Sequence, residues 1–272
     1  MTYIIDQHTM TSRISLPVLA AMLVMLLFSS CVHIDMPDEA NVTFDNDKDL
    51  SSYTLGGASL SQTVKDISIA WIEGGVTIEY YDGDQVLLSE TANRPLDSLT
   101  TLCYRVTPQG ELSVTYSKSS KLKKEQFAGL HKKLLIRLPQ GTRLDDLEID
   151  GMNVSASIAN LTCEDISLDG MNAELTLADV LCHSLSSDGM NATIRATFGQ
   201  LPDEVSADGM NAHVSLAVPA DAGLSIEMDG LAQELSSDLP VYHKDGKTII
   251  GDGRCDVSLD GMNCTLDITI RK

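Results

Sequence analysis

The chain has 272 residues and a formal net charge of −20. So acidic a chain is repelled by nucleic acid and by anionic lipid headgroups, which excludes both as electrostatic partners. It has six cysteines and no Cys-x-x-Cys pair, which excludes redox or zinc chemistry of that pattern.

Residues 1–30 have the features of a secretory signal. Arg13 is the only cation before the apolar run from Leu16 to Phe28, and Ser29-Ser30 supply small residues before a cut site. The run is too short for a comfortable membrane span. Met10 serves equally well as the start. Cys31 directly after Ser-Ser resembles a bacterial lipobox, with Phe28 where the usual Leu stands. By that resemblance Cys31 becomes the lipidated first residue, and the lipid supplies the membrane attachment. Removal of residues 1–30 takes one cation (Arg13) and one anion (Asp6), so the charge is unchanged. Residues 31–60 are acidic and polar, with Pro37 and Gly56-Gly57, and read as a flexible tether.

Residues 61–140 alternate apolar and polar through Val64, Ile67, Ile69 and Trp71, then Val76, Ile78 and Tyr80, and later Leu134, Ile136 and Leu138. This predicts a β-rich N-terminal part, forming irregular first coils or a cap on the C-terminal half. The basic cluster Lys118, Lys121, Lys123, Lys124, Lys132 and Lys133 reads as a solvated loop. Aromatic residues concentrate here, so Trp71, Tyr80 and Tyr81 form the candidate ligand face for a glycan or protein, although buried core is the more ordinary fate of each.

Residues 141–272 carry six copies of one tetrapeptide. Asp150, Asp169, Asp188, Asp208, Asp229 and Asp260 are each followed by Gly, namely Gly151, Gly170, Gly189, Gly209, Gly230 and Gly261. Met-Asn completes five copies and Leu231-Ala232 the diverged one. The steps are 19, 19, 20, 21 and 31 residues, a repeat architecture in which each unit buries its apolar side against its neighbours. Apolar residues stand three and one before the Asp, and again four, six and eight after it, with Ser187, Gln233 and Ser237 as the exceptions. Val154, Ala156 and Ile158 illustrate the second set. Period-two alternation on both sides of Asp-Gly predicts strand, turn, strand with one wet face. The Met after each Asp-Gly falls at an inward phase and reads as filling the corner. The expected fold is an all-β solenoid with rungs of 19–21 residues turning at Asp-Gly. Asp-Gly is also a hairpin signal, so an antiparallel meander or barrel is the alternative. Val241 to Ile250, inside the longest step, reads as a hairpin around Asp245-Gly246, and Arg271-Lys272 as blunting the last open edge.

Stacked carboxylates repel unless hydrogen-bonded, screened or bridged by a hard cation such as Ca²⁺. The Asp ladder is therefore the one candidate metal site. The plainer reading is that each Asp caps its own turn through backbone N–H groups. Asn153, Asn172, Asn191, Asn211 and Asn263 are expected to hydrogen-bond along the stack. Cys163 and Cys182 each lie six residues before a repeat Asp and should be neighbours, as a disulfide or as buried thiols. No Gly-x-Ser-x-Gly, His-Glu-x-x-His or phosphate loop is present, and no catalytic residue or cofactor is assigned.

Lys133 to Pro139 followed by Leu144, Leu147, Ile149 and the first Asp-Gly-Met-Asn resembles a known family, as does Ile250 to Gly253 followed by Val257 to Asn263. That family is the β-strand-repeat "putative adhesin" domain of bacterial envelope proteins, similar to autotransporter-type adhesin heads. The resemblance covers about residues 60–272. It implies a β-solenoid, an extracytoplasmic location and an adhesive role, and supplies no catalytic residues. The expected location is that of an outer-membrane lipoprotein facing the periplasm or the cell surface. A periplasmic structural or sensing component is the second reading. A polysaccharide-active β-helix enzyme is the third.

Overall fold

The computed structural model describes residues 41–43, 50–118, 121–123, 127–244 and 247–272. Residues 1–30, read above as a secretory signal, Cys31 and most of residues 31–60, read as a tether, lie outside these residues. Among the described residues no helix is long and apolar enough to cross a membrane.

The chain is all-β. Its strands are, in order, β1 (Asn41–Thr43), β2 (Thr54–Leu55), β3 (Ala58–Leu60), β4 (Asp66–Tyr81), β5 (Val86–Ala92), β6 (Cys103–Val106), β7 (Glu111–Thr115), β8 (Lys121–Lys123), β9 (Lys132–Pro139), β10 (Arg143–Ala159), β11 (Thr162–Ala178), β12 (Ser184–Thr197), β13 (Glu204–Val218), β14 (Leu224–Ser237), β15 (Val241–Lys244), β16 (Lys247–Ile250) and β17 (Cys255–Ile270). β1 and β8 form a separate antiparallel pair, and the other fifteen strands form one sheet.

Each tetrapeptide lies inside one long strand. Those strands pair in parallel and in register, so Asp150 faces Asp169, then Asp188, Asp208, Asp260 and finally Asp229. Asp-Gly closes no hairpin within this stack. Antiparallel pairing belongs to its ends: β2–β6, β6–β7, β3–β5 and β5–β9 at one, β14–β16 and β15–β16 at the other.

Burial follows the expected phase. In β10, Leu147 and Ile149 are buried before the Asp, then Val154, Ala156 and Ile158 after it. The inward phase therefore changes from odd to even across the tetrapeptide. The same columns recur in β11, β12, β13 and β17, and each Leu or Ile withdrawn from water contributes about 1.5–3 kcal/mol. Ser187 is the one hydroxyl in the inward row before the Asp; it donates to the Leu168 carbonyl at 3.0 Å.

The N-terminal part continues the stack. Ile67 and Ile69 of β4 align with Leu147 and Ile149, and Val76 and Ile78 with Ala156 and Ile158. The next layer is split. β7 pairs with the first half of β4 and β9 with the second, both in parallel. Residues 50–60, read from composition as tether, instead join this end: β2 pairs with β6, β3 pairs with β5, and Tyr53 is buried.

The other end departs from sequence order. β17 lies between β13 and β14, so β14 is the outermost long strand. This explains why its copy of the repeat diverges. Gln233 and Ser237 occupy columns that are apolar on the other rungs, because an end rung has a neighbour on one side only. The β15–β16 hairpin forms as expected and covers Leu224 to Ile226 of β14. The exposed acids Glu227, Asp229 and Glu234, rather than Arg271-Lys272, lie along this last strand.

Candidate functional site

The tetrapeptide builds a ridge along the stack, and each position has a separate physical role. The repeat glycines do not adopt positive φ. They are required by close approach, since a Cβ on Gly170, Gly189, Gly209, Gly261 or Gly230 would overlap the carbonyl oxygen of the adjacent rung's glycine. The asparagines form the expected ladder. Asn172 donates to Asn153 at 2.6 Å, Asn191 to Asn172 at 2.6 Å, Asn211 to Asn191 at 2.7 Å and Asn263 to Asn211 at 2.8 Å. It ends at β14, where Ala232 faces Asn263.

At Asp169 the hydrogen bond differs from the capping expected of each repeat Asp. Asp169 accepts a hydrogen bond from the backbone N–H of Asp188, the equivalent residue on the next rung. Burial, with Asp188 alongside, raises the Asp169 carboxyl above the usual range. Burial and then the neighbours Asp260 and Asp188 do the same at Asp208. Among the described residues no three His, Cys, Asp or Glu side chains converge as metal ligands. The row Asp150, Asp169, Asp188, Asp208, Asp260 and Asp229 is a line of single carboxylates at strand spacing.

The methionines do not fill the corner. Met171, Met190, Met210 and Met262 are 43–47% exposed, Leu231 is 62% exposed, and Met152 is half-buried. The inward rows resume at the residue after Asn. The corner itself is closed by glycine backbone, which leaves no room there for a side chain. The result is a row of apolar, sulfur-bearing side chains at the surface.

The expected aromatic face does not form as a unit. Trp71 is fully buried, and its ring meets Tyr116 edge-on at 5.0 Å. Tyr80 is half-buried; its hydroxyl donates to the Thr142 carbonyl and accepts from the Thr162 N–H. Tyr81 is half-buried and donates to the Gln85 carbonyl at 2.6 Å. Beneath Trp71 lies a group whose place the sequence does not announce. Lys132, grouped by composition with the solvated lysines, is fully buried. Its Nζ stands 2.6 Å from Glu90 Oε2 and donates to the carbonyls of Thr100 (2.6 Å) and Tyr116 (2.7 Å). It lies 4.9 Å from the Trp71 ring centre and 4.3 Å from that of Tyr116. Burial lowers the Lys132 pKa, and Glu90 opposes that shift. The available signal was phase: Lys132 falls on the alternation of Leu134, Ile136 and Leu138. The adjoining open cleft, about 340 Å³, is lined by residues that include Gly74, Asn93 and His131.

Cys163 and Cys182 occupy neighbouring rungs, flanked by the Thr162–Leu181 bridge and the Asp165–Ser184 pair. Both are free thiols, as is Cys255. Burial pushes each of the three up to about 12.

No protein-family model matches the chain, and no curated protein matches it. Among solved structures the chain is similar to a "putative cell adhesion protein" from Clostridium sporogenes, at 8% identity and a TM-score of 0.42, over 80% of this chain and 99% of that one. It is also similar to a "putative adhesin" from Bacteroides fragilis, at 12% identity and a TM-score of 0.34, over 79% of this chain and 97% of that one. Values this low carry no functional argument.

Proposed function

We propose that this chain is an exported, non-enzymatic binding scaffold of the cell envelope, an adhesin-like protein. It is held to the outer membrane by lipid on Cys31 after removal of residues 1–30. One observation carries the reading. In-register stacking turns a single tetrapeptide into continuous surface rows of identical side chains, Met beside Asn, over five neighbouring rungs. A linear array of equal groups suits repeated, individually weak contacts with a glycan or protein that itself repeats, because linked sites multiply affinity. The rungs coil as a solenoid. The support is the change of inward phase across each tetrapeptide, which gives one strand two inward-facing halves set at an angle.

Antibody labelling and protease shaving of intact cells test the reading, with a periplasmic protein as leakage control. Labelling and cleavage on intact cells are expected. Protection until the envelope is broken would overturn the adhesive role and leave a periplasmic structural or sensing one.

A further inference from the structure

The tetrapeptide recurs, yet only three of its four residues are explained by the stack. Gly is fixed by the approach of adjacent backbones. Asn is fixed by the amide ladder. Asp has at least one rung-to-rung hydrogen bond, at Asp169. Met has no comparable reason. It is exposed on four of its five rungs, so core packing does not select it. The buried column two residues later is far looser: Val154, Ala173, Ala192, Ala212 and Cys264. An exposed position more uniform than the core beneath it is held by something other than folding.

The five methionines are also consecutive in space. The stack order β10, β11, β12, β13, β17 brings Met152, Met171, Met190, Met210 and Met262 into one unbroken row. Leu231 comes only on the outermost strand. An apolar contact surface would admit Leu, Ile or Val at these places. Choosing the thioether five times selects for sulfur.

We propose that this methionine row binds Cu(I), each ion held between thioethers of adjacent rungs. Thioethers are neutral, soft ligands of the class that takes Cu(I). Neighbouring strands stand about 4.8 Å apart. Two metal–sulfur bonds of about 2.3 Å end to end span nearly the same distance. A thioether carries no proton to displace, unlike thiolate or imidazole, so binding is insensitive to pH over the range in which the fold is stable. The chain's charge of −20 draws cations toward the ridge. Burial raises the pKa of Cys103, Cys163, Cys182, Cys255 and Cys264, which weakens their competition as thiolates near neutral pH. This goes beyond the adhesive reading and does not depend on it.

The test uses the whole chain with its cysteines intact and ¹³C-methyl-labelled methionine. Ag(I), a redox-inert stand-in, is titrated first, and then Cu(I) buffered by a competing chelator. The methyl resonances of Met171, Met190, Met210 and Met262, assigned by single Met→Leu variants, are expected to shift together and saturate. The combined variant Met171→Leu, Met190→Leu, Met210→Leu and Met262→Leu keeps the apolar surface, and its affinity should fall roughly tenfold or more if sulfur is the ligand. Ion binding that leaves these resonances unmoved would overturn the proposal, as would no binding at all. If the combined variant fails to fold, the wild-type resonances still decide.

Discussion

Gly189 shows how little freedom the ridge allows. A Cβ there would overlap the Gly170 carbonyl oxygen, which is backbone and cannot swing aside. Gly189→Ala should therefore cost about 1–3 kcal/mol, in the range of overpacking, read as a lowered urea midpoint. A midpoint equal to wild type would mean that the rungs stand further apart. Lys132 is the second critical residue. Lys132→Ala leaves Glu90 buried without its partner, which should cost about 3–5 kcal/mol. Adding Glu90→Gln to Lys132→Met should recover much of that loss. Denaturation of both variants separates a charge effect from a packing effect. Neither Lys132 nor the exposed methionines were legible in the sequence, for opposite reasons. A lysine is by default a surface residue, and an inward phase alone does not outweigh that default. A methionine is by default core, and counting by twos fails where glycine backbone closes a bend.

At the scale of the strand, the rungs were legible because both halves of each keep period two and the copies repeat at equal offsets. The first rung was not. Its neighbour is split between two strands, β7 and β9, each paired in parallel with one half of β4, so no single stretch of sequence shows the rung's two-sided pattern. The strands also predict two pH responses. Burial holds Cys163, Cys182 and Cys255 at about 12, whereas an unfolded thiol ionises near 8.5. Above that point the unfolded chain has lost protons that the folded chain keeps. Stability is therefore complete below about pH 8.5 and falls as pH rises toward 12, by at most ~1.4 kcal/mol per pH unit for each thiol. Urea midpoints measured through this window should decline, and Cys→Ala variants should decline less. The Asp row acts with the same sign at acid pH. Asp169 and Asp208 have raised pKa values in the fold, so their contribution is fully present below the ordinary Asp range and is lost as pH rises through the folded value. The melting temperature should increase as pH falls from neutral toward that range. Asp169→Asn with Asp208→Asn should flatten the rise.

Over the whole molecule the least expected feature is the order of the last rungs. The excursion through the β15–β16 hairpin lets the chain return between β13 and β14 instead of adding to the end. Sequence order implied simple addition, because step length alone does not say on which side of a strand the chain comes back. The insertion keeps the five methionine rungs contiguous and moves the diverged copy to the edge, so both functional proposals depend on it. Spin labels on Ser157, Ser236 and Asp267 test it directly, because all three occupy one column of the stack. Residue 267 lies four strands from 157 and residue 236 lies five, about 19 and 24 Å at strand spacing. The account predicts that the 157–236 distance by pulsed electron paramagnetic resonance exceeds the 157–267 distance by one rung. The reverse order would place β14 inside β17, break the methionine row and contradict the account.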